Sequence, residues 1–281
     1  MNDALTVNWM WRYDAPPAGN GIKDVINELN DAGYYSSLFT VHSKASDYVP
    51  KLAYSFDLNH KIKYMIAFRP YLLSPQYFKM LIKGFDEIQQ DRVLVNLVHG
   101  QIGDYENFDG IMDLNDNLFD SNNRRKYLER FVETLNKAHL YGGFKMPECL
   151  VAGGSPDAIQ MAARLGFHSA NGYDSFIEGG YNNYSNLNFE KIFIQVSLLI
   201  RDTDEEANEA RNVFVPEPIR NINIICGSPE TVLNKLKELQ NLGATDILVS
   251  NSFEGGRKER QIIHDFVSEQ IKNGNLLGQQ D

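Results

Sequence analysis

The strongest constraint in this chain is a regular exchange between two hydrophobic periods. Short apolar runs rich in β-branched and aromatic residues alternate with longer amphipathic stretches along almost the whole sequence. The runs predict strands over Leu5–Trp11, Tyr34–His42, Ile62–Phe68, Arg92–Val98, Glu148–Ala152, Phe167–Asn171, Lys191–Ile200 and Asp246–Ser250. Helical spacing predicts helices over Asn20–Ala32, Asp47–Phe56, Asn122–Leu140, Ser155–Leu165, Asp204–Arg211, Ser228–Leu242 and Lys258–Asn273, with another opening at Ser74-Pro75. Serine before proline is a strong helix start, because serine caps the free amides and proline lacks one anyway. Strands alternating with helices make a parallel sheet with right-handed crossovers. A closed barrel and an open doubly wound sheet both satisfy that alternation. The count of eight strands selects the α/β (β/α)8 TIM barrel.

Two stretches depart from the pattern. Ser175–Asn188 has no helical period and carries Gly179, Gly180, four asparagines and two tyrosines, so the helix after strand six is expected to be degenerate. Val213–Ile222, with Pro216 and Pro218, reads as irregular. No linker or low-complexity segment divides residues 1–281, which are expected to form a single domain.

Composition narrows the function. The chain has 37 acidic and 27 basic residues, a formal charge of −10. That balance argues against a nucleic-acid surface and against anionic membranes. No apolar run reaches transmembrane length. The start Met1-Asn-Asp-Ala has neither the basic flank nor the apolar run of a signal peptide. Cys149 and Cys226 are isolated, which suits a reducing cytoplasm. The six histidines are dispersed, so no metal site is expected.

In a barrel of this kind the active site lies at the C-terminal ends of the strands. That rule selects Trp9 and Trp11, His42, Ala67-Phe68-Arg69, Asn96 and His99, Gly153–Ser155, Asn171 and Tyr173, Gln195 and Ser197, and Ser250–Ser252. The set is polar and aromatic with few carboxylates, which suits a flat ring better than a paired-carboxylate hydrolase. His42 and His99 are candidates for general base or hydrogen-bond donor. Gly153-Gly154-Ser155 joins a strand to a helix, and bare amides at a helix start hold phosphate; an ordinary turn capped by Ser155 reads equally well. The sequence has no nucleophile elbow, Walker A loop or GxGxxG run.

Five segments in order carry a family resemblance. They are Lys61-Ile-Lys-Tyr-Met-Ile-Ala-Phe-Arg-Pro-Tyr-Leu-Leu-Ser-Pro-Gln with Phe85-Asp-Glu-Ile; Asp91-Arg-Val-Leu-Val-Asn-Leu-Val-His-Gly; Leu150-Val-Ala-Gly-Gly-Ser-Pro-Asp-Ala; Ile200-Arg-Asp-Thr-Asp-Glu-Glu-Ala; and Gly227-Ser-Pro-Glu-Thr-Val with Leu242-Gly-Ala. Together they resemble the luciferase-like flavin-dependent monooxygenases, closest to the alkanesulfonate monooxygenase branch. The resemblance implies a barrel that binds reduced FMN (FMNH2) delivered by a separate NAD(P)H:flavin reductase. Molecular oxygen, the co-substrate, adds at flavin C4a to give a peroxide that attacks the substrate. It also implies a homodimer or homotetramer. By matched motif, Ala67 and Phe68 line the flavin ring across a cis peptide, and Asn96 reaches the ring or ribityl chain. Gly153, Gly154 and Ser155 hold the phosphate, and Arg124 and Arg125 stand at the family's Arg-Tyr pair. Trp11, His42, His99 and Tyr173 are expected to line the substrate cavity.

The sulfonate branch differs at several of these places. Where it has a cysteine after strand two, this chain has Ala45; its arginine and histidine on strand seven are Gln195 and Ser197, and its tyrosine after strand eight is Ser252. Its long lid is reduced to Val213–Ile225. The reading is therefore a monooxygenase for a small or medium organic molecule other than a sulfonate. A non-catalytic flavin-binding barrel and a deazaflavin-dependent oxidoreductase of the same fold are the alternatives.

Overall fold

The computed structural model describes residues 4–11, 20–40, 48–56, 60–99, 120–139, 144–215, 223–251 and 256–279. Parallel strands β1 (Leu5–Trp11), β2 (Ser36–Phe39), β3 (Lys63–Phe68), β4 (Val93–Val98), β5 (Cys149–Ala152), β6 (His168–Gly172) and β7 (Ile192–Ile200) follow one another round a sheet. Strand β9 (Asp246–Ser250) pairs with both β7 and β1 and closes it. The closed eight-strand parallel barrel is the (β/α)8 fold that the alternation predicts.

Helices α1 (Asn20–Asp31), α2 (Tyr48–Ser55), α3 (Pro75–Ile88), α4 (Ser121–His139), α5 (Pro156–Leu165), α7 (Asp204–Phe214), α8 (Pro229–Asn241) and α9 (Gly256–Lys272) surround it. Their starts are set locally: the hydroxyls of Ser74, Ser155, Thr203 and Ser228 each accept a first-turn amide. After β6 the helix is degenerate, as Ser175–Asn188 suggests. Only the five-residue α6 (Tyr173–Ile177) and a 3₁₀ turn at Gly180–Tyr184 stand there.

Two strands were not legible: the two-residue β10 (Leu276–Leu277), which pairs with Leu5 and Thr6 of β1, and β8 (Ile224–Gly227). Strand β8 lies between α7 and α8 and pairs with Ser197–Ile200 of β7. Backbone parity places it. On β7 the carbonyl of Lys191 accepts from Ser169 of β6, and the amides of Ser197 and Arg201 donate to Asn223 and Gly227. The carbonyl of Ile192 instead accepts from Thr245, on the β9 side. Odd-numbered residues thus face one edge, so β8 continues the wall above the end of β6. Asn223 takes a left-handed φ of 54° there. It exchanges hydrogen bonds with Asp174: its amide donates to Asp174 Oδ2 at 2.5 Å, and the Asp174 amide donates to Asn223 Oδ1 at 3.1 Å.

Alternation along each strand makes two cores. Met10, Leu38, Met65, Ala67, Leu94, Leu150, Ala170, Phe193 and Leu248 fill the barrel interior. The opposite faces pack on the helices, as where Trp9 meets Tyr34 and His264 edge-on. The N-terminal end of the barrel carries its charges. Lys191 Nζ lies 2.5 Å from Glu148 Oε1, His168 Nε2 lies 3.5 Å from the same oxygen, and Lys63 and Lys191 flank the Tyr35 ring. Asp246 is buried beside them and accepts from Thr245 Oγ1 at 2.8 Å and Asn8 Nδ2 at 3.3 Å.

Burial pushes the Asp246 carboxyl up to about 6, above its usual 3.8, against the opposing pull of Thr245 and Lys191. Between these values the folded protein holds a proton that the unfolded chain has lost. Asp246 therefore costs stability as pH rises through that window. Asp246→Asn removes the titration. Denaturation of both proteins at pH 4 and pH 7 should show the variant gaining relative to wild type at the higher pH. A pH-independent difference contradicts the assignment.

Candidate functional site

The C-terminal mouth of the barrel brings small and neutral polar side chains together. Strand pairing sets Ala67 beside Asn96, Val98 beside Ala152, Gly172 beside Gln195, and Ser197 beside Ser250. Ala67, with Val98 and Ala152, belongs to the interior cluster, and Asn96 shares the inward parity of Leu94. Asn96 is 4% exposed, and its Oδ1 is buried without a hydrogen-bond partner. A buried amide oxygen left in that state is costly unless a ligand or water satisfies it. Ser197 Oγ and Ser250 Oγ satisfy each other at 2.9 Å.

A second group gathers at one edge of the mouth, where β4 and β5 end. Arg124 is buried, and its Nε donates to the His99 carbonyl at 2.9 Å. Arg125 donates to Asn122 and reaches Asp157 Oδ2 at 3.1 Å. His99 lies against the β5–α5 turn: a Cβ on Gly153 would stand 2.4 Å from its Cε1, and one on Gly154 would stand 2.0 Å from Asn171 Oδ1. The two glycines let that turn approach the imidazole and the amide, which explains them without a ligand. Ser155 is the N-cap of α5 and accepts from the Ala158 amide at 3.3 Å. Burial, then the charges of Arg125 and Arg124, lower the His99 pKa to about 4, and its Nδ1 has no partner. The edge thus joins a helix start, two guanidinium groups and a neutral imidazole, a combination suited to an anion.

Three expected site residues are turned elsewhere. Trp11 alternates with Met10 and so faces the helices. Its Nε1 donates to Ser37 Oγ at 3.0 Å, and its ring lies under Arg260 of α9. Phe68 likewise points out, edge-on to Phe78 of α3 with centroids 5.1 Å apart, while Ala67 points in. The Ala67–Phe68 bond is trans, since the described residues contain no cis peptide. Both residues stay in the ladder with β4. Tyr173 packs into the outer core; burial, with the charges of Glu238 and Asp174, raises its pKa. The error has one cause: position along a strand selects the mouth, but parity selects the face. His42 lies outside the described residues.

Two residues escaped sequence reading. Asp157 sits in the first turn of α5 and holds Arg125; acids in first turns are a known signal. Asn223 has no such signal, because its role depends on β8. A groove of about 700 Å³ between α7 and α9, lined in part by Arg201, Phe214 and Glu259, shares no residue with either group. Among the described residues no cluster of three or more metal-ligating side chains occurs, and no helix is long and apolar enough to cross a membrane.

No family model matches the sequence. Solved structures do match over nearly the whole chain. The FMN-bound oxygenating constituent of 3,6-diketocamphane monooxygenase from Pseudomonas putida is 14% identical, with a TM-score of 0.71 over 99% of this chain and 100% of that one. A long-chain alkane monooxygenase is 10% identical, with a TM-score of 0.73 over 99% and 93%. The coenzyme F420-dependent tetrahydromethanopterin reductase of Methanopyrus kandleri is 14% identical, with a TM-score of 0.71 over 96% and 99%. This chain has the luciferase-like barrel fold. These luciferase-like structures include flavin monooxygenases and F420-dependent reductases, and at such identities the likeness is one of fold.

The two arginines hold His99 neutral by charge as well as by position. Burial is the larger cause, so Arg125→Gln, which removes the stronger of the two charge effects, should raise the His99 pKa part of the way from about 4 toward its usual 6.5. Nitrogen-15 NMR of the imidazole checks this; an unchanged or lower pKa contradicts the geometry.

Proposed function

We propose that this chain is a reduced-FMN-dependent monooxygenase acting on a small or medium organic substrate. The observation that carries the reading is the unsatisfied Asn96 Oδ1, buried in the mouth of a luciferase-like barrel beside an anion-suited edge. A flavin needs an acceptor for a ring N–H and a separate seat for its phosphate, and the two groups supply both. When bound, reduced FMN supplies the electrons that activate molecular oxygen.

The protein's own residues bind and orient. Asn96 accepts from the ring and fixes its plane, and Ala67 is small enough to let a flat ring lie over β3. Ser155, Gly153 and Gly154 present the start of α5 to the phosphate, with Arg124 and Arg125 behind it. His99 is neutral above about pH 4, so it hydrogen-bonds there without adding charge. His42 remains a candidate for the substrate side of the cavity. Reducing equivalents come from a separate NAD(P)H:flavin reductase, in keeping with a sequence that has no GxGxxG run.

The F420-dependent neighbours support a second reading, a deazaflavin oxidoreductase with the same two groups at work. Fluorescence titration separates these readings. FMN should bind more tightly than riboflavin by about tenfold or more, the worth of a charge-assisted contact. Asn96→Ala should weaken both flavins by a similar factor. Binding of F420 but not FMN would favour the second reading, and binding of neither in any redox state would exclude both. With a reductase, NADH and oxygen, the wild-type protein should consume an added substrate that Asn96→Ala turns over more slowly.

A further inference from the structure

The groove between α7 and α9 lies apart from both groups at the mouth. Its volume is about 700 Å³, within the usual range for a small-molecule site. Its floor is apolar, built from Ile200 at the end of β7, Phe214 at the end of α7, and Ile262 and Phe266 of α9. Ile200 and Phe266 are buried, while Phe214 and Ile262 are only partly covered. On α9 the lining positions 259, 262, 266 and 269 recur every three or four residues, one face of a helix.

The polar groups of the lining divide into a satisfied pair and an open border. Arg201 and Glu259 satisfy each other: Nη1 donates to Glu259 Oε2 at 3.0 Å and Nη2 to Oε1 at 2.9 Å. Nη1 also donates to the Ile200 carbonyl at 2.7 Å, and the guanidinium lies 5.8 Å from the Phe214 ring centroid. That pair adds no net charge. Asp202, Glu206, Asp265 and Glu269 stand exposed along the border, where the described lining otherwise holds one base, Lys258. Asp265 accepts from Gln261 at 2.8 Å. Among the described residues Asp202, Glu206 and Glu269 form no ion pair.

Four carboxylates against one ammonium, set round a low-dielectric floor, focus a negative potential into the groove and concentrate cations there. The floor alone suits any hydrophobic body, and the border rejects the anionic ones. We infer that the α7–α9 groove is a second ligand site, selective for an organic ammonium ion. The apolar body of that ion lies on Ile200, Phe214, Ile262 and Phe266, and its charge lies among the border carboxylates. A flavin phosphate would meet like charge there, so this site is independent of the flavin reading.

Isothermal titration calorimetry with 4-phenylbutylamine tests it. The amine should bind about tenfold more tightly than 4-phenylbutyrate, which has the same body and the opposite charge. That preference should shrink at high salt. Methyl NMR locates the site: the δ-methyl signals of Ile200 and Ile262 should move on adding the amine. Glu206→Gln/Glu269→Gln removes one exposed carboxylate from each helix. It should weaken the amine about fivefold, since each exposed charge contributes little, with an unchanged far-UV circular dichroism spectrum. Failure of the amine to bind overturns the inference, as does equal binding of 4-phenylbutyrate or an affinity indifferent to the double variant. Competition between the amine and FMN would overturn the separation of the two sites.

Discussion

Strand parity inside a closed barrel governs this molecule. The eight strands that close the wall are parallel and each pairs on both edges, so each of their side chains is committed to the axis or to the helices with no intermediate option. Asn96 reaches the mouth because it shares the parity of Leu94, and Trp11 does not because it shares that of Trp9. The same rule separates Ala67 from Phe68, neighbours in sequence that serve different cores. The chemistry of the site therefore depends on register as much as on composition.

The two ends of the barrel treat charge differently. At the N-terminal end Glu148, Lys191 and Asp246 crowd together under burial. Although burial alone raises the Glu148 pKa, His168 and Lys191 outweigh it and bring the group down to about 2. At the mouth, the described inward side chains are amide, hydroxyl or small. The guanidinium groups stand at the edge, each engaged with a backbone or side-chain oxygen. A planar neutral ring and a terminal anion are what such a division accommodates.

Much of the fold was legible because it rests on periodicity. The β1 boundaries coincide with the apolar run Leu5–Trp11, and the Ser-Pro starts at Ser74, Ser155 and Ser228 are caps. The degenerate helix after β6 was visible as a stretch of glycine and asparagine. Strand β8 was not, since four residues behind a proline-containing segment show no alternation and its partner edge exists only where β6 ends. In the site, residue type and strand position put Asn96, Ala67 and the β5–α5 turn at the C-terminal end of the barrel, which is where the structure has them. They misplaced Trp11, Phe68 and Tyr173, because an aromatic residue at a strand end reads alike from sequence whether it faces in or out. Asp157 carries the signal of an acid in a first turn, but its partner Arg125 lies 32 residues away and only the fold brings the two together.

The proposed flavin site needs two separate groups at once, the inward amide of Asn96 and the edge formed by Arg124, Arg125 and the β5–α5 turn. A crystal structure with FMN tests it most directly. The isoalloxazine should lie within hydrogen-bond reach of Asn96 Oδ1 and the phosphate at Ser155, with Trp11 and Phe68 untouched. FMN bound in the α7–α9 groove, or seated in the mouth with its phosphate directed away from the turn, would contradict it.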